Sequence, residues 1–367
     1  MSTGAALKAP PFCPNATCLF HGESTTSWQW VRAGFYSRRA SPQRIRRYRC
    51  VHCLRYFSDQ TFSTDYWLKR PELLLPLFHA ATHCSGFRQM ARALDCSPQT
   101  AMRQTMRLGR HAVLFHEQHR PKGPLTEPIC VDGLRNFEYS QYHPSEFHIV
   151  VGKDTRFIHG FTHSELRRMG TMTKGQQKRR TEIEKEVGKP DPASVRKEVA
   201  NVLAIATAGS EQGTIHSDKN KEYPRAIRTL DHLKGFAHHT ITSRAKRDAK
   251  NPLFAVNVTD LMVRHSMANQ KRETIAFSKT IASAVARMWV FVTWRNYRQW
   301  FSEGKKGGSP AMRVGAEKHR WRARRILGRR LFPTRIELPE SWRPHYWGTL
   351  PTRQIPNGHV HRLKYAF

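Results

Sequence analysis

No stretch of this 367-residue chain approaches the roughly 20 apolar residues needed to span a bilayer. Its opening, MSTGAALKAPPFC, lacks the basic start and apolar core of a secretory leader. The reading is therefore a cytosolic protein with no membrane partner. Acid is also scarce: 28 Asp and Glu stand against 62 Lys and Arg, a formal net charge of +34. The excess runs from Arg38 to Lys364 rather than collecting in one tail, which predicts a polyanionic partner, nucleic acid before membrane. The seven cysteines of a chain kept in a reducing compartment are not a disulfide framework, so their spacing is read for metal. The length suffices for two or three domains and at least one hydrophobic core.

Four of those cysteines fall in two close pairs. Cys13 and Cys18 are spaced C-x4-C in FCPNATC, and Cys50 and Cys53 are spaced C-x2-C in YRCVHC. Thiolates this close chelate from one knuckle, and two knuckles make a tetrahedral structural zinc site; His21 is an alternative fourth ligand. Between them, SWQWVRAGFYSRRASPQRIRRYR has the aromatic and β-branched content of a hairpin turning at Ser-Pro, with arginines suited to phosphates. A zinc ribbon is expected, folded by its metal because so small a unit has little core. Cys84, Cys96 and Cys130 have no partner spacing and are read as small buried residues.

A helical pattern follows from Glu72 to about His119. Inside it a helix, a turn at Asp95-Cys96 and a second helix opened by Ser97 and Pro98 suggest a helix-turn-helix, with an ordinary helical hairpin as the alternative. The second helix is expected to expose Arg103, Gln104, Arg107 and Arg110 to base edges and phosphates.

After RPKGP the pattern changes. PICVDGLRNFEYS, EFHIVVGKD and RFIHGFTHS read as three strands, the first carrying Asp132. A charged stretch from Glu165 to Asp191 reads as a surface insertion or extended helix, and a helix follows from Ala193 to near Gly209. Then come the short strand GTIHSD ending in Asp218, a helix YPRAIRTLDHLKG, and the strand FAHHTITS. Asp218 is either a turn residue and helix cap or a metal ligand at a strand end. In the last helix of this region Asn257, Asp260, Arg264, Ala268 and Lys271 share a polar face opposite a largely apolar stripe of Val258, Leu261, Met262 and His265. Beyond it, TIASAVARMWVFVTWRNYRQWF is expected to pack as an aromatic helix on the sheet or on a second copy. The residues from Glu303 read as a basic, irregular extension whose Arg-Trp alternation suits nucleic acid, or as a partly disordered tail.

The order of three strands, helix, strand, helix, strand, helix resembles the ribonuclease-H-like one, with Asp132 on the first strand and Asp218 at the end of the fourth. Taken with the ribbon, HSDKNKEYP and NVTDLMVRH followed by RETIAFSK, nearly the whole chain resembles insertion-sequence transposases of the acidic-triad, or DDE, type. The resemblance implies an α+β multidomain protein: a zinc ribbon (1–65), a helix-turn-helix domain (66–120), a ribonuclease-H-like core with a mixed five-stranded sheet (125–303, insertion 165–192) and a basic extension (304–367). It implies Asp132 bridging two Mg²⁺ (or Mn²⁺) ions, with Asp218 and Asp260 each holding one. Relatives show Asn-x-x-Glu where this chain has Asn257-Val-Thr-Asp260, and another register puts Asn257 at the third position, so Asp260 and Asn257 both stand as candidates. Arg264 is read as a phosphate contact, and His216, beside the site, as packing. The implied partners are double-stranded DNA, as element ends and target, and a second copy in a homodimer or higher oligomer; the implied place is the bacterial nucleoid. The rival readings are a DNA-binding regulator with an inactive core and a structural RNA-binding protein.

Overall fold

The computed structural model describes residues 9–22, 27–305 and 307–353. Near the amino terminus, strands β1 (Trp30–Ser37), β2 (Arg44–Cys50) and β3 (Tyr56–Ser58) form an antiparallel sheet in the order β1-β2-β3. On β2 the side chains alternate, and Tyr48 and Cys50 share the face that is buried. Tyr48, Phe57 and Phe62 then meet Phe12 in a small aromatic core. Phe332 completes that core from the far end of the chain, and Arg330 N–H donates to the Phe62 carbonyl at 2.9 Å.

Three helices follow: α1 (Leu74–Ala81), α2 (Phe87–Ala93) and α3 (Pro98–His119). Pro98 presets the first helical φ of α3, and the Ser97 side chain accepts the Thr100 N–H at 3.1 Å, as expected. With 22 residues α3 is far longer than a helix-turn-helix requires, and its carboxyl half is buried on nearly every side. It packs closely on α8 (Ile281–Thr293) through Gly109. A Cβ at Gly109 would sit 2.6 Å from Ala286, so only glycine permits the approach.

The main sheet holds five strands in the order β6-β5-β4-β7-β8: β4 (Ile129–Phe137), β5 (Pro144–Gly152), β6 (Ile158–Glu165), β7 (Gly213–Asp218) and β8 (Phe236–Ile241). The first three are antiparallel neighbours; β7 runs parallel to β4, and β8 parallel to β7. The two parallel additions need crossovers, supplied by α5 (Ser194–Ala206) and by α6 (Glu222–Ile227) with the 3₁₀ turn Asp231–Gly235. The helix read from YPRAIRTLDHLKG is thus two short pieces, broken at Arg228. The charged insertion contains one exposed helix, α4 (Lys174–Val187).

Alternation along the strands gives the sheet two covered faces. Ile129, Val131, Val150 and Ile215 meet Val199, Val202 and Leu203 of α5 and Tyr223 of α6. Cys130, Leu134, Phe147, Ile149 and Phe161 face the larger core with α3, α7 (Phe254–Ser266) and α8. The aromatic helix α8 is enclosed by its own chain, which leaves no face for a second copy: Trp289 and Phe291 are fully buried. Arg287 of α8 and Arg295 of the turn Trp294–Arg298 that follows it are internal too, Arg287 donating to the Ser85 carbonyl at 2.9 Å and Arg295 to that of Trp300 at 2.8 Å.

The residues expected as a loose basic extension fold back instead. Trp342 is buried, donates its indole N–H to the Phe161 carbonyl at 3.1 Å, and fills the space beside Gly160 where a Cβ would lie 2.4 Å from its ring. Residues 354–367, the end of that extension, lie outside those described.

Candidate functional site

Two aspartates are brought together by strand register. β4 and β7 pair in parallel with Ile129 opposite Ile215, Cys130 opposite His216 and Val131 opposite Ser217. The next step places Asp132 beside Asp218 on neighbouring strands, about 4.8 Å apart along the hydrogen-bonding direction. Both side chains project from the face that carries Cys130 and Leu134, the one covered by α7. From α7, Asn257, Asp260 and Arg264 reach the same place. All five line a cleft of about 380 Å³, with Arg135, Arg247 and Arg272 around its rim.

The carboxylates are held where their charge is disfavoured. Burial raises the Asp132 carboxyl to about 6; a hydrogen bond from the Gly133 N–H opposes this, while Asp218 and Glu146 add to it. Burial raises Asp260 further, to about 8, with Asp132 adding and Arg264 and Arg247 opposing. One oxygen of Asp260, Oδ1, is buried with no hydrogen-bond partner. An orphaned carboxylate oxygen beside further aspartates offers hard oxygen donors of the kind Mg²⁺ takes, though among the described residues only the four ribbon cysteines gather as a close ligand cluster. Asp218 is not a helix cap. Its Oδ1 accepts the Asn220 N–H at 2.9 Å in a local turn, and it is Asn220 that accepts from Glu222 at the start of α6.

Several expectations need correction. The helix α7 ends at Ser266, so Ala268 and Lys271 are not on it. Its buried stripe is Ala255, Val256, Thr259 and Val263, while Leu261, assigned to the apolar side, is 67% exposed beside the cleft. On α3 only Arg103 is exposed as expected; Gln104 and Arg107 are buried because the helix runs into the core. Gln104 donates to the Arg70 carbonyl at 3.1 Å and Arg107 to that of Tyr66. Arg110 lies deeper along α3, and burial lowers its pKa. Cys130 is buried, but Cys84 and Cys96 are only half-buried. His216 is buried and stacks on His239 with ring centroids 5.5 Å apart, the packing role expected of it.

Sequence reasoning missed Glu146, Tyr223, Arg247 and Arg272. Glu146 lies on β5 beneath Gly133, whose missing side chain makes room for it, and is paired with Arg135 at 2.9 Å. Tyr223 is buried in the α5–α6 core behind the cleft, where burial first and then the field of the carboxylates hold its phenol well above the ordinary range. The adjacent Asp132-Gly133 was the one sequence signal for Glu146; the arginines lie on loops with no period to betray them.

The second ligand cluster is the ribbon. The sulfurs of Cys13, Cys18, Cys50 and Cys53 all lie within 4.8 Å of one another, with Cys13 and Cys53 at 3.6 Å. Thiolates about 2.3 Å from a tetrahedral zinc are about 3.8 Å apart, so the four fit that ion. Burial pushes the Cys50 thiol up, but hydrogen bonds from the Cys53 backbone, the Trp28 indole (3.3 Å) and the His52 backbone outweigh it and bring Cys50 down to about 7. Burial raises Cys13 and Cys18. His21 is not a ligand: its Nδ1 bonds the Cys13 carbonyl at 2.8 Å and its Nε2 the Thr334 hydroxyl at 2.7 Å.

No protein family model matches the chain, and the comparison with curated proteins found no match. Among solved structures, a chain in the cryo-EM structure of a simian T-cell lymphotropic virus intasome in complex with PP2A regulatory subunit B56 gamma aligns over 64% of this chain and 69% of its own. The identity is 12% and the TM-score 0.24, too slight a likeness to bear on fold or function. No helix among the described residues is long and apolar enough to cross a membrane.

Proposed function

We propose that the chain is a DNA transposase of the acidic-triad type, cutting and rejoining DNA with a divalent metal in the cleft of Asp132, Asp218 and Asp260. The observation that carries this reading is the register of β4 and β7, which sets two aspartates side by side, under an α7 carboxylate with one buried, unpartnered oxygen. The strand order β6-β5-β4-β7-β8 is that of a ribonuclease-H-like core and supports it. So does the net charge of +34, which suits a phosphate backbone. The ribbon, with zinc, and the α2–α3 turn would hold the element ends, and a second copy would pair them.

In the cleavage step a water oxygen attacks phosphorus and the P–O3′ bond breaks, leaving a 5′-phosphate and a 3′-hydroxyl. The water loses one proton to solvent and the departing 3′ oxygen gains one. Bound Mg²⁺ would supply neutralisation of the negative charge that the displacement builds. Asp132 and Asp218 would hold it from the sheet, and Asp260, or Asn257 one turn earlier, from α7. Strand transfer repeats the in-line displacement with the 3′-hydroxyl as nucleophile. Arg135, at the cleft's edge, is held by its ion pair with Glu146, which would keep it in place rather than on the phosphate.

The test is metal-dependent nicking of duplex DNA. Asp132→Asn and Asp218→Asn should each lower strand cleavage at least about a hundredfold, the scale of losing an electrostatic stabiliser of developing charge, with DNA binding retained. Asp260→Asn compared with Asn257→Ala identifies the third ligand. Wild-type cleavage by Asp218→Asn would refute the mechanism.

A further inference from the structure

Four guanidinium groups line the acidic cleft, and they are not equivalent. Arg135 is committed to Glu146, its Nε 2.9 Å from the carboxylate. Arg264, the sequence candidate for phosphate contact, is committed to the backbone: Nη1 donates to the Gln270 carbonyl at 2.8 Å and Nη2 to the Arg135 carbonyl at 3.1 Å. It ties the end of α7 to β4 and to the turn that follows. Arg247 and Arg272 line the same cleft, and no hydrogen bond or ion pair among the described residues engages either head group.

These two sit on the loops that frame the opening. The loop from β8 to α7 is held in shape by the Asn251 side chain donating to the Lys246 carbonyl at 2.8 Å and by the Asn251 N–H bonding the Asp248 carbonyl at 3.1 Å, so Arg247 rides on a fixed turn. Arg247 is close enough to both Asp132 and Asp260 to oppose the rise in their pKa values. The loop after α7 carries Arg272 and is pinned beyond it, where Asn269 donates to the Ser278 hydroxyl at 3.0 Å and the Tyr139 N–H bonds the Ser278 carbonyl at 2.9 Å. A planar fork of donors with no internal partner, beside carboxylates that would hold cations, matches an anion with several oxygens.

We propose that Arg247 and Arg272 are the pair that grips the scissile phosphate, one from each loop, and that Arg264 is a structural brace. This rests on the DNA-cleaving reading of the cleft. The non-bridging oxygens of the attacked phosphodiester would lie between the two guanidinium groups, with the carboxylates and any metal they hold on the other side of the cleft. Charge building on the non-bridging oxygens as water adds is then met by fixed donors.

The experiment is Mn²⁺-dependent nicking of supercoiled plasmid at saturating DNA, run beside Mn²⁺ titrations of thermal stability. Arg247→Ala and Arg272→Ala should each lower kcat by about 10- to 100-fold, at or below the cost of removing one transition-state donor, and leave the Mn²⁺-induced rise in Tm intact. Arg247→Lys should recover part of the loss, because an ammonium restores charge without the fork. Arg264→Ala should instead lower Tm in the absence of metal. Wild-type nicking by either Arg247→Ala or Arg272→Ala, with Asp132→Asn inactive, overturns the clamp and leaves the cleavage reading standing. Loss of the Mn²⁺ response in those alanine variants also overturns it, because the arginines would then act on the metal. Nicking by Asp132→Asn at the wild-type rate removes the cleavage reading itself.

Discussion

The ribbon and the cleft both crowd together ligand atoms that repel once ionised, and they differ in what surrounds them. Four sulfurs close on a single point within 4.8 Å, with Trp28 and backbone donors around them, leaving no coordination position for a substrate. The cleft brings its carboxylates from two strands and a helix and keeps about 380 Å³ open before them. A closed thiolate set suits a structural ion, and an open oxygen set suits an ion that also meets a reacting group. Position follows the same logic. The ribbon's aromatic core is small and borrows Phe332 from the end of the chain, so its fold leans on metal; the cleft stands on a sheet covered on both faces and should keep its shape empty.

The sharpest way to break that contrast is to remove each ligand set in turn. Cys50→Ser should abolish tight zinc binding, from about one ion per chain, and strip amide protection from β1 to β3, because metal binding in units this small contributes on the order of 10 kcal/mol to folding. Protection in β4, β5 and β7 should remain. Asp218→Asn should leave protection unchanged everywhere while cleavage is lost. Hydrogen exchange read by region checks both, and a ribbon that stays protected in Cys50→Ser without zinc would show that Phe332 and its neighbours suffice.

A smaller effect separates the two ends of α3. Arg107 is buried and hydrogen-bonded to the Tyr66 carbonyl, so Arg107→Ala should cost on the order of 1–3 kcal/mol in stability, read by denaturant melting. Arg103 is exposed near the amino end of the helix, so Arg103→Ala should leave stability within about 0.5 kcal/mol and instead reduce the salt dependence of DNA binding by roughly one phosphate contact. Equal stability losses would mean that α3 meets DNA along no part of its length.

The same contrast explains what the residues revealed before the fold was known. Cysteine pairs two and four residues apart announce a metal site because chelation is local. Asp132 and Asp218 were legible only through element order, since 86 positions separate them and register alone makes them neighbours. Gln104 and Arg107 misled because charged and amide side chains at helical spacing read as solvent-facing. Here α3 continues into the core, and their polar ends find backbone carbonyls there. The orientation of α7 was partly off: Met262 packs on the core as expected, but Leu261 looks like core and is exposed, while Thr259 does not look like core yet its hydroxyl bonds the Ala255 carbonyl at 2.9 Å and so can be buried. Arg247 and Arg272 had no pattern at all, being loop residues placed by distant anchors.

The least change is expected from pH, and it tests whether the cleft holds its carboxylates uncomfortably when no cation is bound. Asp260 ionises near 3.8 in an unfolded chain and at about 8 in the fold, because burial and Asp132 disfavour its charge. Between those values the folded state keeps a proton that the unfolded state has lost. Stability therefore falls as pH rises from about 4 to about 8, and the loss is complete above 8. Asparagine cannot ionise, so without added divalent metal Asp260→Asn should melt a few degrees above wild type at pH 9 and show a much smaller difference at pH 5. The ribbon's own pH response is common to both proteins and cancels in the difference. Asp132 is raised only to about 6, so the corresponding difference for Asp132→Asn should stop growing near pH 7 while that of Asp260→Asn continues to grow. Saturating Mn²⁺ should raise wild type toward the variant at pH 9, the cation taking the place of the proton. A difference between wild type and Asp260→Asn that shrinks as pH rises would mean that Asp260 is ionised and satisfied without metal.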